Sequence, residues 1–537
     1  MGKGIVSASV GMLLKACGFK VNHIKIDPYF NVDAGTMRPA EHGEVFVTDD
    51  GGEIDQDLGN YERFTNTSFT KENNITSGKV FQTIIANERA FKYEGRDVEM
   101  IPDVPNEIKR RFYELENGND FTVVEIGGTT GDIENLPFLY AAREVGRDRK
   151  SMYIMVSYVP FLKNVGELKT KPTQHAVSQL RSTGINPDIL ITRGEYPLDG
   201  PRRETLGKRC FLGEGAVFDD PDAESVYEVP LILEKQGLVK KILGHFKLAI
   251  KEPDLAQWQN FVEKIKNPKR KLVIALLGKY VKHGGALHRD VYVSVLEAVK
   301  HAAGNLGLEA QVVPIDAEGF EYDQLDELKP NGVIVPQGWG SRGVEGKIAA
   351  AKWARENKVP YLGLCFGMQM AVIEYARNVA GLEGANSEEA DTKTKYPVVH
   401  IMPDQKKYLE AHQYGGTIRL GSWPCIVKKG TLLEKAYSDY GKEPNKIQNS
   451  NDKFTNNNVV NERHRHRYEF NNEYREVLEK AGMVISGTSP DGKLVEAVEL
   501  PRETHPFFVG TQFHPEYKSR PMSPHPLFIA FLEAGAK

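Results

Sequence analysis

Residues 359–379 read VPYLGLCFGMQMAVIEYARNV, and the pattern changes at the cysteine in the middle. An apolar run precedes Cys365, and apolar residues at helical spacing follow it, which predicts a strand, a sharp turn and a helix. Gly363 and Gly367 allow a tight turn and close packing of the helix. Cys365 would then project above a sheet at a helix N-terminus, where the helix dipole favours the reactive thiolate. Taken alone, the motif is equally compatible with a small buried cysteine.

A second motif, QFHPE at 512–516, supplies the partners that a thiol nucleophile needs. Such a nucleophile requires a base within hydrogen-bond reach and a third group that orients the base. His514 can be the base, and Glu516 lies two residues on, on the same side of an extended segment. Together with the elbow, these residues resemble the class I glutamine amidotransferases. The resemblance implies that Cys365, His514 and Glu516 form a triad that hydrolyses glutamine.

The rest of the chain alternates short apolar runs with helical patterns in two blocks. Runs such as FTVVEIGG (121–128) and MYIMVSYVP (152–160) are typical of strands buried in parallel sheets. We therefore predict an α/β fold class with two doubly wound α/β domains, at 1–251 and 271–537, joined by a charged linker at 252–270. Residues 427–460 are rich in Asn and Lys and poor in apolar groups, which predicts a solvated, disordered insertion.

Composition narrows the class of protein. The chain has 537 residues, 40% hydrophobic and 26% charged, with a net charge of −4, which does not favour a nucleic-acid partner. No apolar run approaches the roughly 18 residues of a membrane span, and no signal peptide is recognisable. The four cysteines are too scattered for a disulfide framework or a CxxC metal site. We expect a cytoplasmic protein without a membrane or nucleic-acid partner.

Longer segments resemble one amidotransferase family, the CTP synthases. They are KIDPYFNVDAGTMRP (25–39), EHGEVFVTDDGGEIDQDLGNYERF (41–64), VVEIGGTTGDIENLPF (123–138), KTKPTQH (169–175), GGTIRLG (415–421) and ERHRHRYE (462–469). The resemblance implies a P-loop-type synthetase domain before the amidotransferase domain. ATP would phosphorylate the uracil O4 of UTP, and ammonia from glutamine would displace the phosphate to give CTP. It also implies Mg²⁺ as cofactor, GTP as activator, CTP as feedback inhibitor and a homotetramer.

The resemblance also assigns residues to each ligand. For ATP they are Lys3, Gly4, Ile5, Lys25 and Asp57; for Mg²⁺, Asp57 and Glu125; for UTP or CTP, Asp132, Ile133, Glu134, Lys169, Thr170, Lys171, Pro172, Thr173 and Gln174; for glutamine, Gly338, Phe366, Gln369, Glu389 and Arg467. Carboxylates suit Mg²⁺, and two cations around a proline-fixed turn in KTKPTQ suit a triphosphate. Without the family match, KTKPTQ would be a solvated charge run and ERHRHRYE a basic nucleic-acid patch.

Three positions depart from the family pattern. PQGWG (336–340) has Gln337 where the family usually has glycine, which puts the loop conformation in question. Thr205 stands where relatives commonly have a nucleotide-contacting lysine. Residues 221–223, Pro-Asp-Ala, replace Lys-Asp-Val in the segment that touches adenine in relatives. Either of the last two changes could alter nucleotide affinity.

The start of the chain raises two alternatives. Relatives begin with a strand and a glycine-rich phosphate loop, of which Gly2-Lys3-Gly4 would be the end. The resemblance thus implies a start roughly fifteen residues late, without that strand and most of the loop. If this were the native start, a protein that only hydrolyses glutamine, or a non-catalytic assembly or regulatory subunit, would be the alternative functions.

Overall fold

The structure is a computed structural model, and it describes residues 2–537 apart from 280–281, 284–285, 288, 403–404, 406, 409–415, 443–447 and 450–457. The strands are β1 Val21–Asp27, β2 Val45–Val47, β3 Glu53–Asp55, β4 Asn74–Thr76, β5 Phe121–Ile126, β6 Ile154–Tyr158, β7 Phe161–Leu162, β8 Glu167–Leu168, β9 Ile189–Gly194, β10 Val217–Pro221, β11 Arg270–Gly278, β12 Lys282–His283, β13 Ala286–Leu287, β14 Leu308–Asp316, β15 Gly332–Val335, β16 Tyr361–Leu364, β17 Asn386–Ser387, β18 Pro397–Ile401, β19 Arg419–Val427, β20 Gln448–Asn449, β21 Asn458–His466, β22 Tyr468–Phe470, β23 Val484–Thr488, β24 Val495–Glu499 and β25 Phe508–Thr511.

The α-helices are α1 Lys3–Ala16, α2 Pro39–His42, α3 Gln56–Thr65, α4 Ser77–Arg89, α5 Met100–Glu116, α6 Leu136–Asp148, α7 Lys171–Ser182, α8 Gly200–Arg209, α9 Val229–Lys235, α10 Leu238–Phe246, α11 Ala256–Lys266, α12 Val293–Leu306, α13 Asp323–Leu328, α14 Val344–Glu356, α15 Phe366–Asn378, α16 Leu432–Tyr440, α17 Arg475–Lys480 and α18 Pro526–Gly535. In the described part of the chain, no helix is long and apolar enough to cross a membrane.

The chain forms two compact units. The first contains residues 1–33 and 60–262, and the second contains residues 34–59 and 263–537. Residues 34–59 lie within the predicted first domain, and no motif in them indicated that they would join the second unit. The predicted domain boundaries at 251 and 271 stay predictions.

Two parallel sheets form the frame of the first unit. Strands β4, β1 and β5 form one sheet in that order, and β10, β9 and β6 form the other. Apolar residues of the first sheet, such as Ile24 and Ile75, pack with helices α4, α5 and α6. Leu190 of the second sheet packs with residues of α7 and α8, including Leu180 and Leu206. The apolar runs predicted as buried strands are indeed strands of parallel sheets.

A ten-stranded sheet organises the second unit, in the order β14-β11-β15-β16-β25-β24-β23-β19-β21-β20. The pairs from β14 to β25 are parallel, and those from β25 onward are antiparallel. Helices α14 and α15 pack in one core cluster, whereas α12 and α18 pack in another. Helices thus cover both faces, as the predicted α/β fold class requires, but half of the sheet is antiparallel.

The predicted linker contains α11, in which Trp258, Phe261 and Val262 are buried at helical spacing. One sequence expectation needs correction. The segment 427–460, expected to be solvated and disordered, contains α16, whose buried Leu433 and Tyr437 belong to the core of the second unit. The Asn- and Lys-rich pattern hid a helix with only a narrow apolar face. Residues 443–447 and 450–457 of this segment lie outside the described residues.

Candidate active site

Cys365 stands at the turn between β16 and α15, with φ 52° and ψ −100°. A positive φ is costly for a residue with a Cβ, about 1–3 kcal/mol, and persists only where the surrounding structure enforces it. Here the Cys365 N–H donates to the Thr511 carbonyl at 2.6 Å, and the side chain is buried. The turn therefore has the predicted strand–turn–helix form, with the thiol at a helix N-terminus.

The two glycines around Cys365 are required by close backbone contacts. A Cβ at Gly363 would lie 2.7 Å from the carbonyl carbon of Gly367, and a Cβ at Gly367 would lie 1.9 Å from the Val335 carbonyl oxygen. Both distances are shorter than any real Cβ contact. The glycines thus let α15 pack directly on the sheet, as the sequence predicts.

Neighbouring parallel strands bring His514, the predicted base, to the same sheet edge as Cys365, the predicted nucleophile. Strand β25 pairs with β16 in a register that places Thr511 opposite Leu364. Cys365 and His514 follow these two residues closely in the chain, so both emerge at the carboxyl ends of adjacent strands. This edge is where α/β folds usually bind ligands.

Glu516 orients the buried imidazole. His514 Nδ1 lies 2.7 Å from Glu516 Oε1, and both side chains are about 1% exposed or less. Burial alone would lower the pKa of His514, but the Glu516 carboxylate and the Cys365 sulfur outweigh it and raise the pKa from 6.5 to about 10. The imidazolium form is therefore favoured at neutral pH, beside the Cys365 sulfur.

One cavity brings the predicted glutamine-binding residues together with the nucleophile and the base. It is lined by Gln337, Gly338, Trp339, Cys365, Phe366, Gln369, Glu389, Arg465, His466, Arg467, Tyr468 and His514. All the residues that the family resemblance assigns to glutamine are among them. Glu516 stands behind His514 and does not line the cavity.

Gln512 is a further residue of this site, for which no role was predicted although it belongs to the QFHPE motif. Its Nε2 donates to Cys365 Sγ at 3.5 Å, and its Oε1 accepts from Gln369 Nε2 at 3.2 Å. Gln369 Nε2 also donates to the Tyr468 carbonyl at 2.9 Å. Gln512 thus links the nucleophile to a predicted substrate-binding residue.

Opposite charges line the cavity. Arg467 is buried and donates to Gln405 Oε1 at 3.0 Å and to Thr417 Oγ1 at 3.1 Å. Burial raises the pKa of Glu389, although the Gly340 N–H, which donates to its carboxylate at 2.6 Å, opposes this rise. Arg467 and Glu389 on the same cavity suit a ligand with both a carboxylate and an ammonium group.

Two buried lysines hold the loop 336–340, and sequence reasoning missed both. Each donates from Nζ to two backbone carbonyls of the loop. The contacts are Lys347 to Pro336 and Gln337 at 2.7 and 3.3 Å, and Lys279 to Trp339 and Gly340 at 2.5 and 2.6 Å. Burial lowers the pKa of Lys279 to about 8 and that of Lys347 well below its usual value. A lysine within an otherwise apolar helix face, as at Lys347, is the signal that could have indicated them.

Three buried polar atoms of cavity-lining residues have no nitrogen or oxygen partner among the described residues. They are Gln337 Oε1, Gln369 Oε1 and His514 Nε2. Buried polar groups are almost always hydrogen-bonded, so unpaired ones on a single cavity indicate a place for a polar ligand. The two amide oxygens accept hydrogen bonds, and a protonated His514 donates one. Such a set matches a ligand that carries N–H groups next to a carbonyl.

The basic segment ERHRHRYE is buried and does not form a nucleic-acid patch. Arg463 is fully buried, and its Nε lies 2.8 Å from Asp49 Oδ1. Arg465 Nε lies 2.9 Å from Glu53 Oε1. Both carboxylates belong to the hairpin region of β2 and β3, within the second unit. Ion pairs inside the unit therefore account for these charges.

The first residues assigned to ATP form the start of a helix. Lys3, Gly4 and Ile5 are the first three residues of α1, after Gly2 at φ 78°. The Lys3 ammonium donates to the Gly128 carbonyl. The first N–H groups of a helix lack intrahelical partners and favour anions such as phosphate.

Glu125 lies in a buried charged cluster of the first unit. Lys25 Nζ is 3.2 Å from Glu125 Oε1 and 3.6 Å from Asp27 Oδ1, and the Tyr61 hydroxyl donates to Glu125 Oε2. Carboxylate oxygens suit a hard cation, which is the physical basis for the resemblance that assigns Glu125 to Mg²⁺. Asp57, the other carboxylate assigned to Mg²⁺, begins α3 and belongs to the second unit.

The segment 169–174 starts a helix, where the sequence predicted a proline-fixed turn. Thr170 precedes α7, and Pro172 lies in the first turn of α7. Thr173 is fully buried and donates to the Tyr158 carbonyl at 3.2 Å, and Gln174 Nε2 donates to Thr170 Oγ1 at 3.1 Å. Lys171, the first residue of α7, is exposed, whereas the Lys169 ammonium pairs with Glu167. Pro172 is compatible with the predicted turn and with the observed start of α7, because its fixed φ also suits a first helical turn.

The segment 132–134 lies on the surface of the first unit. Asp132 Oδ2 accepts from the Thr129 N–H at 3.0 Å, and Ile133 is 80% exposed. Glu134 is also exposed. No structural feature of these residues alone identifies a nucleotide.

The departures from the family pattern have ordinary local contacts. Thr205 Oγ1 donates to the Pro201 carbonyl at 2.8 Å within α8. Asp222 Oδ1 lies 2.6 Å from Arg193 Nη2. Gln337 Nε2 donates to Glu44 Oε1 at 3.0 Å, and Gly338 beside it lines the cavity.

Comparisons with known proteins cover both units. A family model described as CTP synthase N-terminus matches residues 1–248, and one described as glutamine amidotransferase class-I matches residues 287–534. A CTP synthase of Methanocaldococcus jannaschii is 50% identical over 99% of this chain and 96% of its own length. A CTP synthase of Bacillus subtilis is 47% identical over 100% of this chain and 96% of its own length. The glutaminase domain of a Trypanosoma brucei CTPS, solved with bound acivicin, is 39% identical over 49% of this chain and 94% of its own, with a TM-score of 0.41.

The elbow, the α/β sheet and the amidotransferase match define a class I glutamine amidotransferase joined to a synthetase domain. The full-length similarity is more specific, since it extends over both units at about half identity. The chain belongs to the CTP synthase family. It is a ligase that aminates UTP to CTP with ATP and glutamine, and the alternatives of a glutaminase alone or a non-catalytic subunit receive no support.

Proposed function

We propose that glutamine is hydrolysed in the cavity beside Cys365, and that the released ammonia serves CTP formation. The observation that carries the proposal is the cavity itself, which joins the nucleophile, the base, opposite charges and unpaired polar atoms. The Cys365 thiolate attacks the carboxamide carbon, and the protonated His514 delivers a proton to the leaving nitrogen. Water then releases glutamate from the thioester, with His514 acting as the base. Glu516 keeps the imidazole oriented throughout.

Two backbone N–H groups are our candidates for the oxyanion hole, those of Phe366 and Gly338. Phe366 is the first residue of α15, where N–H groups lack intrahelical partners. Removing one donor of such a hole typically costs about 10²–10³ in rate. Arg467 would bind the α-carboxylate of glutamine, and Glu389 its α-ammonium group, while Gln369 contacts the polar end of the substrate.

The synthetase reaction needs neutralisation of phosphate charge. We assign this role to Lys3 and Lys25, with Gly4 and Ile5 offering backbone N–H groups at the start of α1. Asp57 and Glu125 are the proposed ligands of Mg²⁺, which would act as a Lewis acid on the phosphoryl oxygens. In the described residues, no group of three or more His, Cys, Asp or Glu side chains could hold a metal ion. Two carboxylates plus substrate phosphates are nevertheless a common magnesium arrangement.

UTP and the inhibitor CTP are proposed to use residues 169–174 and 132–134. The first segment combines two lysines with a helix N-terminus, which suits a triphosphate. Asp132, Ile133 and Glu134 would contact the base, where carboxylate oxygens can accept from the cytosine amino group. Activation by GTP, a homotetramer and a cytoplasmic location stay predictions from the family resemblance and the sequence.

The experiment compares two nitrogen donors in the full chain. UTP, ATP and Mg²⁺ are supplied with either glutamine or ammonium, and CTP is measured by chromatography. Cys365→Ala should abolish glutamine-dependent CTP formation and spare the ammonium-dependent reaction. Cys425→Ala is the matched control, because Cys425 is also fully buried in the second unit but does not line the cavity. Unchanged glutamine use by Cys365→Ala would refute the site assignment.

A further inference from the structure

Gln337 lines the glutamine cavity, at a position where the family resemblance implies a glycine. A glycine there would contribute only backbone atoms. The question is therefore what the extra carboxamide does, and the hydrogen bonds around it restrict the answer.

Glu44 fixes the orientation of the Gln337 carboxamide. Gln337 Nε2 donates to Glu44 Oε1 at 3.0 Å, and Glu44 Oε2 accepts from the Ser294 N–H at 2.7 Å. A carboxylate can only accept hydrogen bonds, so the NH₂ end of Gln337 must face Glu44. Glu44 is itself only 5% exposed, which limits competition from water. The Oε1 atom of Gln337 must consequently point to the other side of the amide.

The backbone that carries this side chain is fixed as well. Lys347 is fully buried, and its Nζ donates to the Pro336 carbonyl at 2.7 Å and to the Gln337 carbonyl at 3.3 Å. Both ends of residue 337, its backbone and its amide nitrogen, are thus held by hydrogen bonds. The side chain is preorganised and loses little conformational entropy when a ligand binds.

Gln337 Oε1 is a buried acceptor with no partner among the described residues. Leaving such a group unpaired is costly, so a ligand of this cavity is expected to donate to it. Glutamine has two N–H groups, the α-ammonium and the side-chain carboxamide. Glu389 already offers a carboxylate for the ammonium. Gln337 adjoins Gly338, whose N–H is our candidate donor to the carboxamide oxygen, so the carboxamide nitrogen is the nearer group.

We propose that Gln337 Oε1 accepts a hydrogen bond from the leaving nitrogen of glutamine. The inference rests on the proposed function of the cavity. The Cys365 sulfur first forms a bond to the carboxamide carbon. His514 then gives a proton to the carboxamide nitrogen, the carbon–nitrogen bond breaks, and the nitrogen leaves as ammonia. Gln337 gains and loses no proton in this step. Its role is to orient the nitrogen, and Glu44 acts through Gln337 as a positioning residue.

The test uses two substrates that differ in their leaving group. L-glutamine leaves a nitrogen with N–H donors, whereas L-glutamate γ-methyl ester leaves an oxygen without any. Glutamate release from both is measured for the full chain and for Gln337→Met, which keeps the length of the side chain but has no carboxamide. The matched control is Gln311→Met, because Gln311 is exposed on the edge strand β14.

Gln337→Met should lower kcat/KM for glutamine about three- to tenfold, as expected for one neutral hydrogen bond, and change that for the ester less than about twofold. Gln311→Met should change neither. Equal losses on both substrates, or no loss on glutamine, would overturn the proposal. If Gln337→Met does not fold, as judged by lost ammonium-dependent CTP formation, Gln337→Gly serves with the same expectations. Failure of the unaltered chain to hydrolyse glutamine would instead overturn the assignment of the cavity.

Discussion

Alanine at position 367 would place a methyl group against the backbone of a neighbouring strand. The added Cβ would lie 1.9 Å from the Val335 carbonyl oxygen and 2.9 Å from the Val335 carbonyl carbon, whereas ordinary contacts begin at 3.4 Å. Helix α15 or strand β15 must therefore shift by about 1.5 Å. Both elements are held by the core of the second unit, so the shift cannot be taken up by a flexible side chain.

We expect two measurable effects of Gly367→Ala. Overpacking of this kind costs about 3 kcal/mol, which corresponds to a melting temperature lower by about 6–12 °C for a unit of this size. Displacement of Cys365 by about 1 Å should lower glutamine hydrolysis about 100-fold. Ammonium-dependent CTP formation should persist below the melting temperature, because the change lies in the amidotransferase unit.

Gly244→Ala is the control, since a Cβ there meets nothing within 4 Å and the residue lies inside α10. That variant should be as stable as the unaltered chain or up to about 1 kcal/mol more stable. The assays are thermal unfolding and glutamate release. A Gly367→Ala protein with glutamine hydrolysis within threefold of the unaltered chain would refute the argument that the glycine is needed for close packing.

Three further predictions concern charged residues in and around the cavity. Glu516→Gln should lower glutamine hydrolysis about 10²–10⁴-fold, because the imidazole loses its orienting carboxylate. The pKa of His514 is raised from 6.5 to about 10, so its stabilising contribution is complete below pH 6.5 and is lost as the pH rises toward 10. The difference in melting temperature between the unaltered chain and Glu516→Gln should accordingly shrink from pH 7 to pH 10. A constant difference would contradict the raised pKa of His514. Lys347→Met leaves two buried carbonyls of the loop 336–340 without their hydrogen-bond donor. We therefore expect kcat for glutamine to fall about tenfold with little change in KM. An unchanged kcat would show that the loop keeps its conformation without Lys347. Arg467→Lys should raise KM for glutamine about 10–100-fold in initial-rate assays, because lysine cannot reproduce the planar pair of guanidinium donors. Ammonium-dependent CTP formation should not change. A loss of both activities would indicate a structural role for Arg467.

The elbow and the contact between His514 and Glu516 could be predicted from the sequence because their determinants are local. Gly363 and Gly367 mark backbone contacts that no other residue permits. His514 and Glu516 are close in the chain, and a parallel sheet brings the ends of adjacent strands together without further information. The family resemblance then indicated candidate residues for glutamine, all of which line one cavity.

The buried charges could not be predicted, because their partners are distant in the chain. Arg463 and Asp49 each resemble a surface charge, and only the folded unit brings them within 2.8 Å. The role of Lys347 likewise depends on its hydrogen bonds to carbonyls of the loop 336–340, which the sequence pattern around Lys347 does not indicate. Helix α16 was missed for another reason, since its few apolar residues are surrounded by Asn- and Lys-rich sequence.

The membership of residues 34–59 in the second unit affects how this protein can be divided. The chain crosses from one unit to the other at 33–34, 59–60 and 262–263, so no single cut separates the two units. A fragment that began at residue 263 would lack two partners of buried side chains. The fully buried Arg463 would lose its ion pair with Asp49, and the Tyr517 hydroxyl would lose its hydrogen bond to the Val45 carbonyl. Exchange of the amidotransferase half between two relatives would require the exchange of 34–59 as well. The hairpin and the catalytic sheet are therefore expected to be inherited together, although more than two hundred residues separate them in the chain.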